Sequence, residues 1–146
     1  MDTKEFTLEL NRESGYRFEV EFDQARMPVL HVDEAQPVGE GSGPNPARLL
    51  AAAIGHCLAS SLLFCLQRSR VEVQGMNVAV SGTILRNQAG RLRVDSVRVK
   101  LRPAIAEQDR ERIDRCLQIF EDFCIVTQSV RLGIDVQVEV EPQLPA

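Results

Sequence analysis

The sequence of 146 residues has no tryptophan, one tyrosine and two histidines, and its basic residues form no runs. The 17 basic and 21 acidic residues are interspersed, so no basic stripe is available to follow a nucleic-acid backbone. The first residues, Met-Asp-Thr-Lys-Glu-Phe-Thr, lack the basic head and apolar run of a secretory signal. These absences argue against nucleic-acid binding and favour a cytoplasmic location, where thiols are normally reduced.

The four cysteines, at positions 57, 65, 116 and 124, include no Cys-x-x-Cys pair and no tight metal-binding spacing. The two histidines do not complete a zinc site, because His56 and its neighbour Cys57 point to different faces of a helix and His31 lies far away in sequence. We therefore expect no metal and no cofactor, and any reactivity must come from thiols. A charged fraction of 26% and an apolar fraction of 44% are typical of a globular chain, here one domain over residues 1–146.

Alternating apolar residues predict strands on both sides of one long helix. The elements expected before and including that helix are strands at 5–10 and 16–22 joined by a turn at 11–15, a short strand at 29–32, a loop at 33–45 and the helix from 46 to about 67. The elements expected after it are strands at 71–86 and 92–101 joined by a turn at 87–90, an amphipathic helix at 107–123, a short helix or turn at 124–131 and a last strand at 134–140. The fold class is therefore α+β with mainly antiparallel pairing.

The long helix is apolar on every face, with Asn45 as its expected cap and Pro46 in the first helical position. A helix of this kind is either buried on all sides or crosses a membrane. Gly55, His56 and two serines interrupt the apolar run, and the flanking strands need a soluble sheet to join. We therefore favour a central core helix, covered partly by a second copy of the chain.

Position gives each cysteine a different interpretation. Cys57 and Cys65 are separated by about 12 Å along the helix axis, so they cannot bond to each other. Cys65 lies in the most apolar stretch and Cys116 in an apolar stripe, so both are interpreted as packing residues. Cys57 follows small residues that leave room for a substrate, and Cys124 lies where a helix ends and amides can reach a thiolate. From position alone, a packing role for these two also stays open.

The segments around Cys57 and Cys124 read Pro-Asn-Pro-Ala-Arg-Leu-Leu-Ala-Ala-Ala-Ile-Gly-His-Cys at 44–57 and Phe-Cys-Ile-Val-Thr-Gln-Ser-Val-Arg at 123–131. They resemble the two cysteine segments of the OsmC/Ohr family. The order of the predicted elements is similar over nearly the whole chain. The resemblance implies an OsmC-like fold, in which antiparallel sheets wrap around a long buried central helix in an intertwined homodimer.

The resemblance also implies a chemistry, the thiol-dependent reduction of organic hydroperoxides, with inorganic peroxide as a further candidate. Cys57 would be the peroxidatic nucleophile that becomes a sulfenic acid, and Cys124 would resolve that acid as a disulfide. A dithiol would supply the electrons, with a lipoylated protein as the candidate. Neither a nucleic acid nor a membrane is an expected partner.

Ala47 departs from the family pattern. The family holds a thiolate-supporting arginine with a glutamate directly after the proline of its Asn-Pro pair, and Ala47 occupies that place. The candidate arginines are, in order, Arg12 in the first hairpin turn, Arg26 in a later turn, and Arg17. The glutamates available to replace the missing carboxylate are Glu34, Glu40 and Glu121.

Two further interpretations remain beside the enzyme. A module that has lost catalysis would bind a small apolar ligand or sense oxidation, and Ala47 favours this alternative. A purely structural protein would have four slow core cysteines.

Overall fold

The structure, a computed structural model, describes residues 2–145. Its strands are β1 Leu8–Ser14, β2 Arg17–Phe22, β3 Leu30–Val32, β4 Val73–Arg86 and β5 Leu92–Ile105. Its α-helices are α1 Pro46–Arg68, α2 Asp114–Ile119 and α3 Ile125–Leu132, and its 3₁₀ helices are Glu107–Ile113 and Phe120–Phe123. Strands β1, β2 and β3 form one antiparallel sheet, and β4 pairs with β5 in a second. The predicted α+β class is confirmed.

The chain divides into two compact units. The first consists of Met1–Ala53 and Val80–Arg98, and the second of Ile54–Ala79 and Val99–Ala146. The elements α1, β4 and β5 contribute residues to both units. All four cysteines belong to the second unit.

The first unit contains the three-stranded sheet. Its register pairs Leu10 with Val20 and places Val32 opposite Phe18, and the side chains of Val20 and Val32 are buried. The predicted turn at 11–15 is too long, because β1 continues to residue 14. Gly15 has a φ of +51°, a conformation that glycine adopts without steric cost, so a much tighter turn suffices to reverse the chain.

A buried carboxylate organises the loop that follows β3. Asp33 is 3% exposed, and its Oδ2 accepts hydrogen bonds from the hydroxyl of Ser42 at 2.7 Å, from the amide of Ser42 at 3.1 Å and from the amide of Glu40 at 3.2 Å. Its Oδ1 accepts a further bond from the amide of Glu34 at 2.8 Å. The hydroxyl of Ser42 is the largest of the causes that hold the pKa of Asp33 below its ordinary value.

Helix α1 begins as predicted. The Oδ1 of Asn45 accepts a hydrogen bond from the amide of Arg48 at 3.0 Å, which caps the helix, and Pro46 is its first residue. Within one chain, however, the helix is not buried on all sides, and Phe64 is 62% exposed. The buried positions follow one row of the helix surface and are Ile54, Gly55, Leu58, Leu62 and Leu66.

By length and composition alone, α1 is able to cross a membrane. The most apolar stretch of 18 residues in this helix has a mean hydropathy of 2.1, and 28% of it is buried in the single chain. The core helix of a soluble protein passes the same test, so this property does not decide between the two environments.

The second hairpin has its predicted turn. The Oδ1 of Asn87 accepts hydrogen bonds from the amides of Ala89 and Arg91, both at 3.0 Å. Strand β5 then continues past Pro103, which was expected to end it. Each strand of a two-stranded sheet has one open edge, where the missing N–H of a proline costs no ladder hydrogen bond.

The single amphipathic helix predicted for 107–123 is wrong. This segment forms two 3₁₀ helices with the short helix α2 between them. Apolar spacing of three and four residues does not distinguish 3₁₀ from α-helical turns over so short a length. The apolar face is nevertheless correct, because Cys116 and Phe120 are both buried.

The last predicted strand is also absent from the described chain. Residues 134–140 have no regular secondary structure, and their apolar side chains are exposed by 61% at Ile134 and by 82% at Val138. An alternating pattern indicates a strand only where another strand offers its edge. Gly133, with a φ of +77°, ends α3 where a break was predicted.

Candidate functional site

The structure brings together the two cysteines that the sequence singled out. Cys57 lies in the middle of α1, and its Sγ accepts a hydrogen bond from the amide of Val126, with a nitrogen-to-sulfur distance of 3.5 Å. Val126 is the second residue of α3, and Cys124 directly precedes this helix as its N-cap. The first turn of α3 thus presents both a thiol and a backbone donor to Cys57.

Hydrogen bonds fix the segment that carries Cys124. The amide of Cys124 donates to the carbonyl of Glu121 at 3.1 Å, and its carbonyl accepts from the amide of Gln128 at 3.0 Å. Its thiol lies 3.0 Å from Oγ1 of Thr127, to which it donates when protonated. When the thiol is ionised, the Thr127 hydroxyl donates instead. Cys124 is completely buried, so its sulfur is held without access to solvent.

The two thiols differ in acidity. Burial raises the pKa of Cys57, and its hydrogen bond with Cys124 raises it further, against the lowering effect of the Val126 amide. Burial alone would also raise the pKa of Cys124, but hydrogen bonds from Cys57 and Thr127 outweigh it, and this pKa is lowered. The first proton lost by the two thiols therefore leaves a thiolate at Cys124. Because the two thiols interact, each pKa seen in a titration is a property of the pair and not of one cysteine.

Only one of the two thiols faces open space. Cys57 lines a cleft of about 840 Å³, a volume in the range of small-molecule sites. The cleft is mainly apolar, with serines and two arginines among its polar groups. Its other lining residues are Ser60, Ser61, Phe64, Cys65, Arg68, Ser69, Arg115, Ile119, Phe123 and Ile125.

The arginines of this cleft were missed from the sequence. The guanidinium carbon of Arg68 lies 5.7 Å from the ring centroid of Phe64, a cation–π contact. Arg115 is exposed on α2, directly before Cys116. Their closeness in sequence to Cys65 and Cys116 is the signal that could have indicated them. The resemblance instead points to arginines in turns.

The arginines predicted from the resemblance lie in the first unit. The Nε of Arg12 donates to the carbonyl of Gly15 at 2.8 Å, and Arg17 pairs with Glu13 at 2.5 Å. Arg26 is exposed and has a φ of +62°. Their roles at a thiolate stay predictions.

The carboxylates proposed to replace the glutamate missing at Ala47 are also divided between the units. Glu121 belongs to the second unit, where its Oε1 lies 2.7 Å from a guanidinium nitrogen of Arg131. Glu34 and Glu40 belong to the first unit. Glu121 already has a partner, so it supports the segment before Cys124 and is not a free carboxylate.

The remaining cysteines are bonded to each other, which corrects their interpretation as packing thiols. Cys65 of α1 and Cys116 of α2 form a disulfide with their Cα atoms 5.7 Å apart. Cys116 is 1% exposed, with its sulfur 3.5 Å from Oγ of Ser69, whereas Cys65 lines the cleft. The two residues are 51 positions apart, so no local pattern in the sequence indicates this bond.

Comparison with known proteins places these features in a family. The family model described as OsmC-like protein matches residues 39–139. A curated relative, organic hydroperoxide resistance protein-like 1 of Staphylococcus epidermidis, is 26% identical over 117 residues, which cover 77% of this chain and 81% of that protein.

Solved structures show the same fold. An OsmC-like protein of Vibrio cholerae has a TM-score of 0.75 at 13% identity, covering 87% of this chain and 94% of its own. The organic hydroperoxide resistance protein OhrB of Bacillus subtilis has a TM-score of 0.60 at 18% identity, covering 94% of this chain and 98% of its own. The family model spans more than half of the sequence and includes both Cys57 and Cys124. The chain therefore belongs to the OsmC-like protein family.

Proposed function

We propose that this protein is a thiol peroxidase that reduces organic hydroperoxides, with Cys57 as the peroxidatic and Cys124 as the resolving cysteine. The observation that carries the proposal is the hydrogen bond from Val126 to Cys57, which holds the Cys124 segment against a thiol in an apolar cleft. The OsmC/Ohr family generally metabolises hydroperoxides, and the curated relative is named for resistance to them.

The different exposure of the two thiols supports these roles. Cys57 is partly exposed and lines the cleft, while Cys124 has no exposed surface. A hydroperoxide that enters the cleft therefore meets the sulfur of Cys57 first. The buried Cys124 is positioned to react with the product formed on Cys57.

The pair supplies the base for the first step. With one negative charge on the pair, Cys57 passes its proton to the Cys124 thiolate and then attacks the O–O bond as a thiolate. The terminal oxygen stays on Cys57 as a sulfenic acid, and the leaving alkoxide takes the proton from Cys124 to become the alcohol. The Cys124 thiolate then attacks the Cys57 sulfur, which forms the disulfide and releases hydroxide.

The cleft also favours a class of substrate. Phe64, Ile119, Phe123 and Ile125 give it an apolar wall that suits an alkyl or aryl hydroperoxide better than hydrogen peroxide. A dithiol, with a lipoylated protein as the candidate, returns the disulfide to two thiols by exchange. The cytoplasm is the proposed compartment because such dithiols are kept reduced there.

We further propose that the protein is a homodimer. Apolar residues alternate along 134–140 and their side chains are exposed, by 75% at Val136 and by 82% at Val140, and Phe64 of α1 is exposed as well. Several large apolar side chains exposed in one short segment are typical of an interface. A second copy of this chain is the occupant that suits an alternating segment without a paired edge.

Sedimentation tests the dimer. The parent protein should sediment as a dimer at micromolar concentration, and Val138→Asp should weaken association by replacing an apolar side chain with a charge. Gln137→Asp introduces the same charge at a neighbouring polar position and should leave the dimer intact. A parent protein that sediments as a monomer contradicts the proposal.

The enzyme is tested by exposing reduced protein to one equivalent of cumene hydroperoxide with a sulfenic-acid trap present, followed by mass mapping of the cysteines. The parent should yield a trapped Cys57 adduct or the Cys57–Cys124 disulfide. Cys124→Ser should accumulate the Cys57 adduct without the disulfide, and Cys57→Ser should leave residue 124 unmodified. If Cys57 stays reduced while hydroperoxide persists, the proposal fails.

The second candidate function is binding of a small apolar ligand without turnover. It is favoured by the raised pKa of Cys57, which keeps this thiol neutral, and by the mainly apolar wall of the cleft. Under this alternative, Cys57→Ser leaves binding of a fluorescent fatty-acid probe unchanged, and the parent shows no hydroperoxide consumption.

A further inference from the structure

Cys65 and Cys116 form a second sulfur pair that connects the same two segments as Cys57 and Cys124. Cys65 follows Cys57 by eight residues along α1, and Cys116 precedes Cys124 by eight residues. Cys65 and Cys116 are bonded with their Cα atoms 5.7 Å apart, and Cys57 is connected to the Cys124 segment through the Val126 amide. The two segments therefore run in opposite directions past each other and meet at both ends.

We propose that Cys65 and Cys116 are a second redox couple whose disulfide positions Cys57 against Cys124. This inference rests on the proposed function, because it assigns the couple a role in closing the Cys57–Cys124 disulfide. Bonding α1 to α2 restricts the separation of the two segments at one end. The restriction raises the effective concentration of each reacting sulfur near the other.

Exposure determines which sulfur of the couple reacts. Cys65 is half-buried and lines the cleft, whereas Cys116 is 1% exposed. When the couple is reduced, the Cys65 thiolate attacks the O–O bond of an organic hydroperoxide and retains the terminal oxygen, while the alkoxide takes a proton and leaves as the alcohol. The Cys116 thiolate then attacks the Cys65 sulfenic acid, and the released hydroxide takes a proton to form water.

A dithiol reverses this oxidation. One thiolate of the dithiol attacks the Cys65 sulfur and releases the Cys116 thiolate, which takes a proton. The second thiolate of the dithiol then attacks its own mixed disulfide and releases Cys65 as a thiolate. The dithiol leaves as a disulfide, so the two electrons that the hydroperoxide removed are restored.

The positioning role has a thermodynamic signature that simple structural support lacks. If the Cys65–Cys116 bond favours the Cys57–Cys124 bond, the second must favour the first by the same factor. We expect this factor to be at least about fivefold, the low end of coupling between linked sites. A disulfide that only stabilised the fold would change the unfolding midpoint and leave both exchange equilibria alone.

The experiment equilibrates the full-length protein in glutathione redox buffers and measures each disulfide by mass mapping after alkylation. Three proteins are compared: the parent, the double variant Cys65→Ser with Cys116→Ser, and the double variant Cys57→Ser with Cys124→Ser. Each double variant reports the equilibrium constant of the disulfide that it retains, so the two provide independent estimates of one coupling factor. If one variant does not fold, the other still measures that factor against the parent.

The proposal predicts that each retained disulfide has an equilibrium constant at least about fivefold lower than in the parent. Constants that agree with the parent within about twofold in both variants would overturn it. Recovery of Cys65 and Cys116 as two free thiols after treatment of the reduced protein with excess cumene hydroperoxide would overturn it as well. The glutathione equilibria involve no peroxide, so they separate this inference from a failure of Cys57 to react with hydroperoxide.

Discussion

The amide of Val126 donates to the Sγ of Cys57 at 3.5 Å and joins the centre of α1 to the first turn of α3. The two thiols of this site divide between them two properties that a peroxidatic cysteine usually combines. Cys57 has access to the cleft but a raised pKa, and Cys124 has a lowered pKa but no access. The proposed reaction therefore requires proton transfer between the two sulfurs, and this requirement can be measured.

The hydroxyl of Thr127 is one of the groups that lower the pKa of Cys124. Thr127→Val removes this donor and keeps the shape of the side chain. A hydrogen bond to a charged group contributes about 1.5–3 kcal/mol, so we expect the first thiol pKa of the pair to rise by roughly one unit or more. The ultraviolet absorbance of the thiolate, followed against pH, measures this pKa. Cys65 and Cys116 do not contribute to the titration, because they are bonded to each other.

Thr127→Ser is the matched control, since it retains the hydroxyl and loses only a methyl group. Its titration should follow the parent. If the serine and valine variants titrate identically, the hydroxyl does not stabilise the Cys124 thiolate.

The reaction with hydroperoxide should have a characteristic pH dependence. Since the pKa of Cys124 is lowered, the pair acquires its single negative charge below the ordinary thiol pKa, and the rate of Cys57 oxidation should rise there. Cys124→Ser removes this charge and leaves Cys57 with the pKa that burial raises. The midpoint of the rate profile should then shift to higher pH, as measured by trapping of the Cys57 sulfenic acid. An unchanged midpoint would contradict proton transfer between the sulfurs.

The sequence predicts which two cysteines lie together better than it predicts the elements that carry them. Motifs around Cys57 and Cys124 single out both residues, and the structure brings them together. The cap at Asn45 and the turn at Asn87 follow from side-chain chemistry. The bond between Cys65 and Cys116 cannot be predicted in this way. It depends on how two segments meet in space, and an apolar stripe gives the same signal whether or not its cysteine has a partner.

Pairing explains the largest error in the predicted fold. Residues 134–140 alternate as strictly as β4, yet they form no strand in the described chain. An alternating pattern of apolar and polar residues indicates which side chains would share a face of a strand. A strand also needs hydrogen-bond partners from a neighbouring backbone. Such a partner is not a property of the segment itself, so its sequence cannot reveal it.

Asp33 makes the first unit sensitive to acid. Its folded pKa lies below the ordinary value of 3.8, chiefly because of the hydrogen bond from Ser42. The carboxylate therefore contributes stability that is complete above that value and is lost as the pH falls through the folded pKa. We expect the protection of the Ser42 amide against hydrogen exchange, relative to its intrinsic rate, to fall in this acid range. Asp33→Asn should show fast exchange already at neutral pH, and Asp23→Asn, at an exposed carboxylate, should behave as the parent does.

Arg115 is, with Arg68, one of two exposed cations of the cleft, and among the described residues it has no ion pair. In the proposed reaction, we expect a positive charge at this position to stabilise the negative charge that develops as Cys57 ionises and the alkoxide leaves. Arg115→Met keeps the length of the side chain and removes the charge. Solvent screening limits the contribution of an exposed charge to about 1 kcal/mol, so kcat/KM for cumene hydroperoxide should fall by roughly fivefold.

The control for Arg115 is Arg110→Met, which removes an exposed arginine that pairs with Glu107 on the preceding 3₁₀ helix and is not part of the cleft. Its kcat/KM should equal that of the parent. Added salt should slow the parent and Arg110→Met alike, because screening weakens the Arg115 charge, and should have less effect on Arg115→Met. If salt slows all three proteins equally, the charge that supports the thiolate is not that of Arg115. Arg68, the other arginine of the cleft, is then the next position to replace, followed by the arginines at 12 and 26.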